Sequence, residues 1–312
     1  MKAFVIRRLF AAILLLLASS VVVFYSMRAA PGDVTTQLTN PVNSYSKYLV
    51  PNIKHQLGLD RPLLTQYFLF MKDTMSGNPG ISLISGDPIT RIIGSAGKYT
   101  LELAGAAAFL TYVIAIPLGI AAARRRNSPL DHSAMVLAVL LMGIPNFFLA
   151  VILINVFSIR LGWLPAAGSG GLKYLILPAV TLAAEAVAIN LRMVRSSVLE
   201  QLSSDYVRTL RAKGLSERRV IDVHAFRNAL PPIFALAGIT ARNLFAYTMI
   251  VEVIFRWPGL GYQLVNAIEQ RDYTLAQVLA LMLTALVITF NFLADVGQRY
   301  ADPRTREARG VR

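Results

Sequence analysis

Six long apolar stretches alternate along the chain with shorter polar and charged segments. A helix rises about 1.5 Å per residue, so roughly 20 apolar residues cross the hydrocarbon core of a membrane. Helices are the expected spanning elements, since lipid offers no hydrogen-bonding partner to open backbone groups. The pattern predicts an all-α polytopic membrane protein. Its six predicted spans are residues 9–27, 99–123, 133–159, 174–194, 231–255 and 275–296.

The first apolar stretch could also be a secretory signal peptide, because Lys2, Arg7 and Arg8 precede it. Its apolar run, from Leu9 to Met27, is longer than the apolar region of a typical signal peptide, and no A-x-A cleavage site follows. We therefore interpret it as an uncleaved membrane anchor.

The composition is that of a membrane protein. Hydrophobic residues make up 55% of the 312 residues and charged residues 15%, whereas a soluble domain carries about 25% charged residues. The absence of cysteine excludes disulfides, thiol catalysis and cysteine-based metal sites. The three histidines (His55, His132 and His224) are too far apart in sequence to indicate a metal site.

The net charge of +14 has two explanations. In a soluble protein it would suggest binding to nucleic acid, but no nucleic-acid-binding module interrupts the apolar stretches, and we expect no such partner. In a polytopic membrane protein, Lys and Arg concentrate in cytoplasmic segments. Their distribution between the six spans predicts that both termini are cytoplasmic.

A long external region follows the first span. Residues 28–98 are predicted to contain a short amphipathic helix, on the outer surface or in an external cap, although an ordinary loop with one such helix explains the pattern equally well. The predicted organisation is an N-terminal part (1–98), a core of five spans (99–303) and a cytoplasmic tail (304–312). The apolar positions of the predicted external helix are Leu63, Leu64, Tyr67, Phe68, Phe70 and Met71.

The most charged connection joins the fourth and fifth spans, and we name residues 199–230 the basic loop. Gly214 tolerates the left-handed conformation that ends a helix, so the loop is predicted to be a helix, a glycine and a second helix. Ser216 can cap the second helix, with Glu217 in its first turn. Pro231 and Pro232 are predicted to mark the start of the fifth span. The candidate caps of the first helix are Ser203, Ser204 and Asp205.

The first helix of the basic loop combines an apolar stripe (Tyr206, Val207 and Leu210) with cations at Arg208 and Arg211. Such a helix can fill a groove on a cytoplasmic partner and transmit motion from it. A re-entrant elbow that binds anionic lipid headgroups explains the same pattern. The physical chemistry of the loop leaves both interpretations open.

The run DYVRTLRAKGLSERRVIDVHAFRNALPP, from Asp205 to Pro232, closely resembles the EAA loop of ABC-importer permeases, especially those of the dipeptide, oligopeptide and nickel branch. Residues 251–273 and 291–306 agree with that branch, and FVIRRLFAAILLLL and Pro31–Asp33 look like its first-permease type. The chain has TLRAKG where the generic family has E-A-A, so we carry over the position of the coupling helix and not the role of each side chain. The matching positions are Asp205, Tyr206, Arg208, Thr209, Arg211, Ala212, Lys213, Gly214, Leu215, His224, Arg227, Asn228, Ala229, Leu230 and Pro231.

The resemblance implies a type I ABC-importer permease that forms half of a translocation pathway. It also implies a second related permease, two ATPase subunits that carry ATP and Mg, and an extracytoplasmic substrate-binding protein, all at a bacterial inner membrane. This chain contains no G-x-x-x-x-G-K-[ST] motif, so we expect it to be no enzyme and to bind no cofactor itself. The implied ATPase-coupling residues are Asp205, Tyr206, Arg208, Thr209, Arg211, Ala212, Lys213, Gly214, Leu215 and Arg227.

Polar side chains within the spans are candidates for the translocation path, because they are costly when they face lipid. Arg242 is the most informative of these, and Glu185 is its plausible partner. A structural ion pair between the spans explains these two residues as well as a cavity does. A peptide carries an ammonium and a carboxylate, which suits a cavity of mixed charge. The path candidates are Glu185, Asn190, Arg242, Asn243, Asn155 and Glu252.

The run RWPGLG follows the fifth span on the predicted outer side. Trp257 is expected in the interfacial aromatic belt, and Pro258, Gly259 and Gly261 are expected to form a tight turn. The resemblance places these residues near an external gate or docking surface, whereas a plain interfacial turn is the alternative.

Other classes of membrane protein remain as alternatives. A secondary transporter or channel would need inverted repeats or broken ion-binding helices, and the sequence contains no clear repeat. A membrane scaffold is a further alternative. The sequence leaves open whether the cargo is a dipeptide, a longer peptide, a nickel chelate or another small solute.

Overall fold

The computed structural model describes residues 2–29 and 61–301, with side chains for residues 4–29 and 61–296. Almost all of the described chain is helical, as predicted. The Pro31–Asp33 stretch and the tail at 304–312 lie outside the described residues. The elements are α1 (Lys2–Ala29), α2 (Leu63–Met75), α3 (Ile89–Arg124), α4 (Pro129–Gly143), α5 (Asn146–Leu153), the π-helical segment π1 (Ile154–Arg160), α6 (Leu172–Leu202), α7 (Asp205–Ala212), α8 (Glu217–Arg219), the π-helical segment π2 (Val220–Ala225), α9 (Phe226–Phe255), α10 (Leu260–Glu269) and α11 (Tyr273–Ala301).

Within these described ranges, five helices are long and apolar enough to cross a membrane, and a bent pair of helices makes a sixth if it counts as one span. The bent pair takes the place of the third predicted span. The five helices are Phe4–Ala29, Ile89–Arg124, Leu172–Leu202, Glu217–Phe255 and Tyr273–Val296.

The third predicted span, residues 133–159, is not a straight helix. α4 ends at Gly143, α5 begins at Asn146, and the two parts are bent by 106°. Ile144 between them is extended, with φ −91° and ψ 119°. A residue before proline avoids the α conformation, and Pro145 has no N–H to continue the helical ladder. The prediction of one continuous span is therefore wrong at this proline.

The fifth predicted span begins earlier than expected. The helix is continuous over Glu217–Phe255 through π2, and Pro231 and Pro232 lie inside it. The two prolines therefore do not mark the start of this helix. Ala229 and Ile233 flank them and are buried in one cluster with side chains of α3 and α6. Packing against neighbouring helices makes proline tolerable within a membrane helix.

The described residues group into two compact units, one within residues 1–99 and 258–289 and the other within residues 100–257 and 290–312. In the first unit the predicted short helix forms as α2. Its Tyr67 hydroxyl lies 2.8 Å from the Ser20 hydroxyl of α1. The ring of Phe24 is fully buried, with its centroid 5.4 Å from that of Tyr67 and 5.9 Å from that of Phe70. α2 is therefore tied to α1 by one polar and two aromatic contacts.

The second unit is packed through small residues. Ala115 of α3, Ala134 and Ala138 of α4 and Ala188 of α6 share one buried cluster, as is typical of helices that approach closely in membranes. At Gly119 of α3, an added Cβ would lie 2.8 Å from the Cβ of Val194 in α6. α3 and α6 therefore contact each other at a distance that only glycine permits.

Candidate functional site

The first helix of the basic loop, α7, turns its apolar stripe towards the rest of the chain. Val207 is fully buried, and Tyr206 and Leu210 are half-buried. π2 packs against α7, so the stripe contributes to packing within the chain. Leu215 is half-buried and Arg227 is exposed. The exposed surface of α7 and its turn consists of Asp205, Arg208, Thr209, Arg211, Ala212, Lys213 and Gly214.

The helices of the basic loop begin where predicted, but without the predicted side-chain caps. Ser204 is the N-cap of α7 and Ser216 that of α8, and neither side chain makes a capping hydrogen bond. The hydroxyls of Ser203 and Ser204 donate instead to the carbonyls of Glu200 and Gln201, at 2.7 and 2.5 Å. These serines therefore extend the hydrogen bonding of α6 and leave the N-terminus of α7 uncapped by side chains.

The turn between α7 and α8 is held by its backbone and by one ion pair. Gly214 has φ +79°, and an added Cβ there would meet no atom within 4 Å, so the conformation alone requires glycine. Across this turn the Arg211 guanidinium donates to both carboxylate oxygens of Glu217, at 2.6 and 3.0 Å. The hydrogen bond to this carboxylate raises the pKa of Arg211 above its ordinary value. The ion pair thereby connects α7 to α8 across the turn.

A second ion pair ties the basic loop to α3. The guanidinium of Arg124, in the last turn of α3, donates to the carboxylate of Asp222 in π2. Beside it, Ile221 is buried in a cluster with Val194 of α6 and Ala229 of α9. The loop is therefore attached to three long helices, and a force on it acts on all three.

A small cavity of about 70 Å³ lies between α6 and α9. It brings together two of the path candidates, Glu185 and Asn243, and adds the hydroxyls of Thr240 and Tyr247. These groups supply a carboxylate, an amide and two hydroxyls within an otherwise apolar lining. The lining thus contains both hydrogen-bond donors and hydrogen-bond acceptors.

Asn190 is buried beside this cavity, with 1% of its surface exposed. Its amide donates to the Ala186 carbonyl at 2.8 Å and to the Thr240 hydroxyl at 2.9 Å. Within the described chain its Oδ1 has no hydrogen-bond partner. Asn190 therefore links α6 to α9, and its side-chain oxygen remains available to accept a hydrogen bond.

The predicted pairing of Arg242 with Glu185 is wrong. Arg242 is exposed, its Nε donates to Asn243 Oδ1 at 3.4 Å, and among the described side chains no ion pair joins it to Glu185. Successive residues of a helix point in directions about 100° apart, so Arg242 does not share the direction of Asn243. Asn155 is also exposed, on π1, and does not line the cavity.

Glu252 lies in the protein interior. It is fully buried, and its Oε1 accepts a 2.7 Å hydrogen bond from the equally buried hydroxyl of Thr100. A buried carboxylate requires such partners, because its desolvation is otherwise costly. Glu252 therefore connects α9 to α3 and does not line the cavity between α6 and α9.

The RWPGLG run ends α9 and leads into a helix that the sequence did not predict. Arg256 adopts the left-handed conformation, with φ 48°, and closes α9. Trp257, expected in the interfacial belt, is 2% exposed and donates its backbone N–H to the Glu252 carbonyl at 2.9 Å. The expectation for Trp257 is wrong, because the indole is buried in the protein. Pro258 and Gly259 then lead to α10, which contains Gly261 in its first turn.

Two family matches agree with this architecture. Residues 115–307 match the family described as binding-protein-dependent transport system inner membrane component. Residues 1–85 match the N-terminal family of the same membrane components. The chain belongs to this family. It is the permease subunit of an ABC importer, as the resemblance of the basic loop implied, and a multi-pass protein of an inner-membrane transporter.

Relatives that match over nearly the whole length of the permease support this assignment. A protein of Brucella suis biovar 1 that carries the name of a peptide permease is 37% identical, over 98% of this chain and 99% of its own. The glutathione transport system permease protein GsiC of Escherichia coli strain K12 is 36% identical, over 98% and 99% of the two chains.

A solved structure has the same fold. A chain of the MetNI methionine ABC transporter, in an inward-facing conformation, matches the permease with a TM-score of 0.56 at 21% identity. The match covers 69% of this chain and 99% of that chain. This similarity confirms the predicted type I importer fold.

The permease has a buried ion pair that sequence reasoning missed. The guanidinium of Arg195 in α6 binds both carboxylate oxygens of Asp131 in α4, at 2.5 and 2.7 Å. Asp131 is 2% exposed and also accepts the backbone N–H of Asn127. The sequence shows Arg195 as one of many predicted cytoplasmic cations. Asp131 lies 64 residues away, so no local pattern indicates that the two residues pair.

Proposed function

We propose that this permease imports peptides, driven by ATP hydrolysis on separate subunits, and that an ATPase acts on it through the basic loop. The attachment of that loop carries the proposal. The Arg211–Glu217 pair stiffens the turn, and the Arg124–Asp222 pair ties the loop to α3. A stiff loop can pass a rigid-body movement to the helices that hold it.

The proposed assembly contains this chain, a second related permease, two ATPase subunits carrying ATP and Mg, and an extracytoplasmic substrate-binding protein. The family description supports the binding protein and the transport system around the membrane component. Both termini of the permease are proposed to be cytoplasmic, which puts the cationic surface of α7 on the side of the ATPases. Membrane lipid is the remaining partner.

The names of the relatives support a peptide as cargo, since one is a peptide permease and the other a glutathione permease. A peptide offers an ammonium, a carboxylate and amides. Glu185 can accept from the ammonium, and Asn243 and Tyr247 can donate to carbonyl or carboxylate oxygens. We place the translocation path along this face of α6 and α9, with Asn190 beside it. The gate or docking surface is proposed at Trp257, Pro258, Gly259 and Gly261.

Transport assays on the reconstituted complex test this function. Vesicles would contain the permease, its second permease and the ATPases, with the binding protein outside and ATP trapped inside. Labelled dipeptide should accumulate with ATP and fail to accumulate with a non-hydrolysable analogue. Accumulation driven by a proton or sodium gradient in vesicles that lack the ATPases would contradict the proposal and favour a secondary transporter.

A further inference from the structure

Two adjoining cavities lie in the first unit of the permease. One has a volume of about 580 Å³ and the other about 320 Å³. Thr74 of α2 and Pro79 line both cavities, so they meet at a common wall. Each volume lies in the range of about 300–1,000 Å³ that is typical of small-ligand sites.

The larger cavity has no charged side chain in its lining. It lies among α1, α2, α3 and α11. Ile13 and Leu17 of α1 are about half exposed beside it, and Met75 of α2 is largely exposed. The cavity is thus an apolar groove that opens on the surface of a membrane protein, where hydrocarbon chains are the surrounding medium.

The smaller cavity is polar and carries both charges. Arg28, from the last turn of α1, and Asp73 of α2 line it together with Asn78. Gln277 of α11 lines it too and is 4% exposed, and in the described part of the chain its Nε2 has no hydrogen-bond partner. A buried donor left unsatisfied is unfavourable, so a bound acceptor would be stabilised there.

The two cavities together extend along α1 over about the depth of one membrane leaflet. From Leu17 at the apolar cavity to Arg28 at the polar one is eleven residues of α1, or about 16 Å along the helix. This is roughly half of the hydrocarbon thickness of about 30 Å. An amphiphile with a charged head and a tail of one-leaflet length fits this arrangement.

We propose that the two cavities together bind one phosphatidylethanolamine molecule. Its acyl chain lies in the apolar cavity. Its phosphate accepts from the Arg28 guanidinium and the Gln277 amide, and its ammonium lies against the Asp73 carboxylate. Each charge of this headgroup would lie against a side chain of opposite charge. An uncharged lipid could use neither side chain, and a purely anionic headgroup could not pair with Asp73. The bound lipid would join α1 and α2 to α11.

Photolabelling of the intact complex tests the site. The complex would be reconstituted in vesicles with phosphatidylethanolamine that carries a diazirine in its acyl chain, and labelled peptides would be mapped by mass spectrometry. Label should concentrate on peptides containing Met71, Met75 and Met282, which line the apolar cavity. Diacylglycerol with the same chain should label them about tenfold less, since it lacks the charged head.

Variants separate the two halves of the site. Ala285→Trp fills the apolar cavity, and Val139→Trp is its control on an exposed face of α4. Arg28→Gln removes the cation at an exposed position, and Arg91→Gln is its control. Only Ala285→Trp and Arg28→Gln should reduce the label by about tenfold. Equal label from diacylglycerol, label insensitive to both variants, or cross-linking of a photoreactive residue at Met75 to the second permease would overturn the proposal.

Discussion

Arg211 and Glu217 form a bidentate ion pair across the turn at Gly214, with N–O distances of 2.6 and 3.0 Å. The pair joins the two helices of the basic loop although both side chains are about half exposed to solvent. Exposed ion pairs contribute only about 0–1 kcal/mol to stability. We therefore expect the Arg211–Glu217 pair to stiffen the loop and to contribute little to the stability of the fold.

Glu217→Gln should uncouple ATP hydrolysis from transport. The loss of the carboxylate leaves the turn free to flex, so peptide uptake per ATP hydrolysed should fall several-fold in reconstituted vesicles, while membrane insertion is unchanged. The double variant Arg211→Glu with Glu217→Arg restores the pair and should recover part of the coupling. Arg91→Gln removes an exposed ion pair outside the loop and is the control. Equal coupling in all four proteins would contradict the role of the pair.

Gly214→Val should also impair coupling, through backbone conformation alone. A β-branched residue is strongly disfavoured at φ +79°, whereas the space around the Cβ position is open. Gly214→Asn adds a side chain that tolerates this conformation and should retain most of the coupling. The coupling of both variants is measured as the ratio of peptide uptake to ATP hydrolysis. Impaired coupling in Gly214→Asn together with normal coupling in Gly214→Val would refute this explanation.

Arg195→Ala should destabilise the permease by about 3 kcal/mol, because removing one partner of a buried ion pair leaves a buried charge. Asp131 would lose both guanidinium contacts. The Tm of the purified protein in detergent should fall by several degrees. Arg192→Ala, at an exposed position of the same helix, should leave the Tm nearly unchanged. A similar Tm for both variants would show that the Asp131–Arg195 pair contributes little.

Two glycines of α3 form a matched test of helix packing. At Gly119 an added Cβ lies 2.8 Å from Val194, whereas at Gly105 it meets nothing within 4 Å. Gly119→Ala should destabilise the protein by about 1–3 kcal/mol through overpacking. Gly105→Ala should be neutral or gain up to about 1 kcal/mol, since alanine favours a helix. Thermal unfolding in detergent distinguishes them, and the opposite order would contradict the close contact.

The sequence predicts what depends on local pattern and misses what depends on tertiary contact. Apolar runs of about 20 residues identify the spans, and Gly214 locates the turn of the basic loop. The break at Pro145 lies within a mostly apolar run, so hydropathy alone did not reveal it, although the proline itself is a local signal. Pro231 and Pro232 are local signals for a helix boundary, yet buried neighbours keep the helix intact there.

The residues of the candidate site show the same difference between local pattern and tertiary contact. Glu185 and Asn243 meet at one cavity as intramembrane polarity suggested, whereas Arg242 next to Asn243 is exposed. Which face of a helix a residue occupies depends on packing that composition does not specify. The burial of Trp257 has the same origin, since an indole suits an interface and an interior equally well.

Site-specific cross-linking tests the central claim most directly, and the absence of native cysteine makes it possible. Thr209→Cys would be placed on the exposed face of α7, with Arg126→Cys as a control outside the basic loop. In the assembled transporter, a photoreactive maleimide attached at position 209 should cross-link to an ATPase subunit in much higher yield than one attached at position 126. Cross-linking of position 209 to no ATPase, with label instead from photoreactive lipid, would contradict the account.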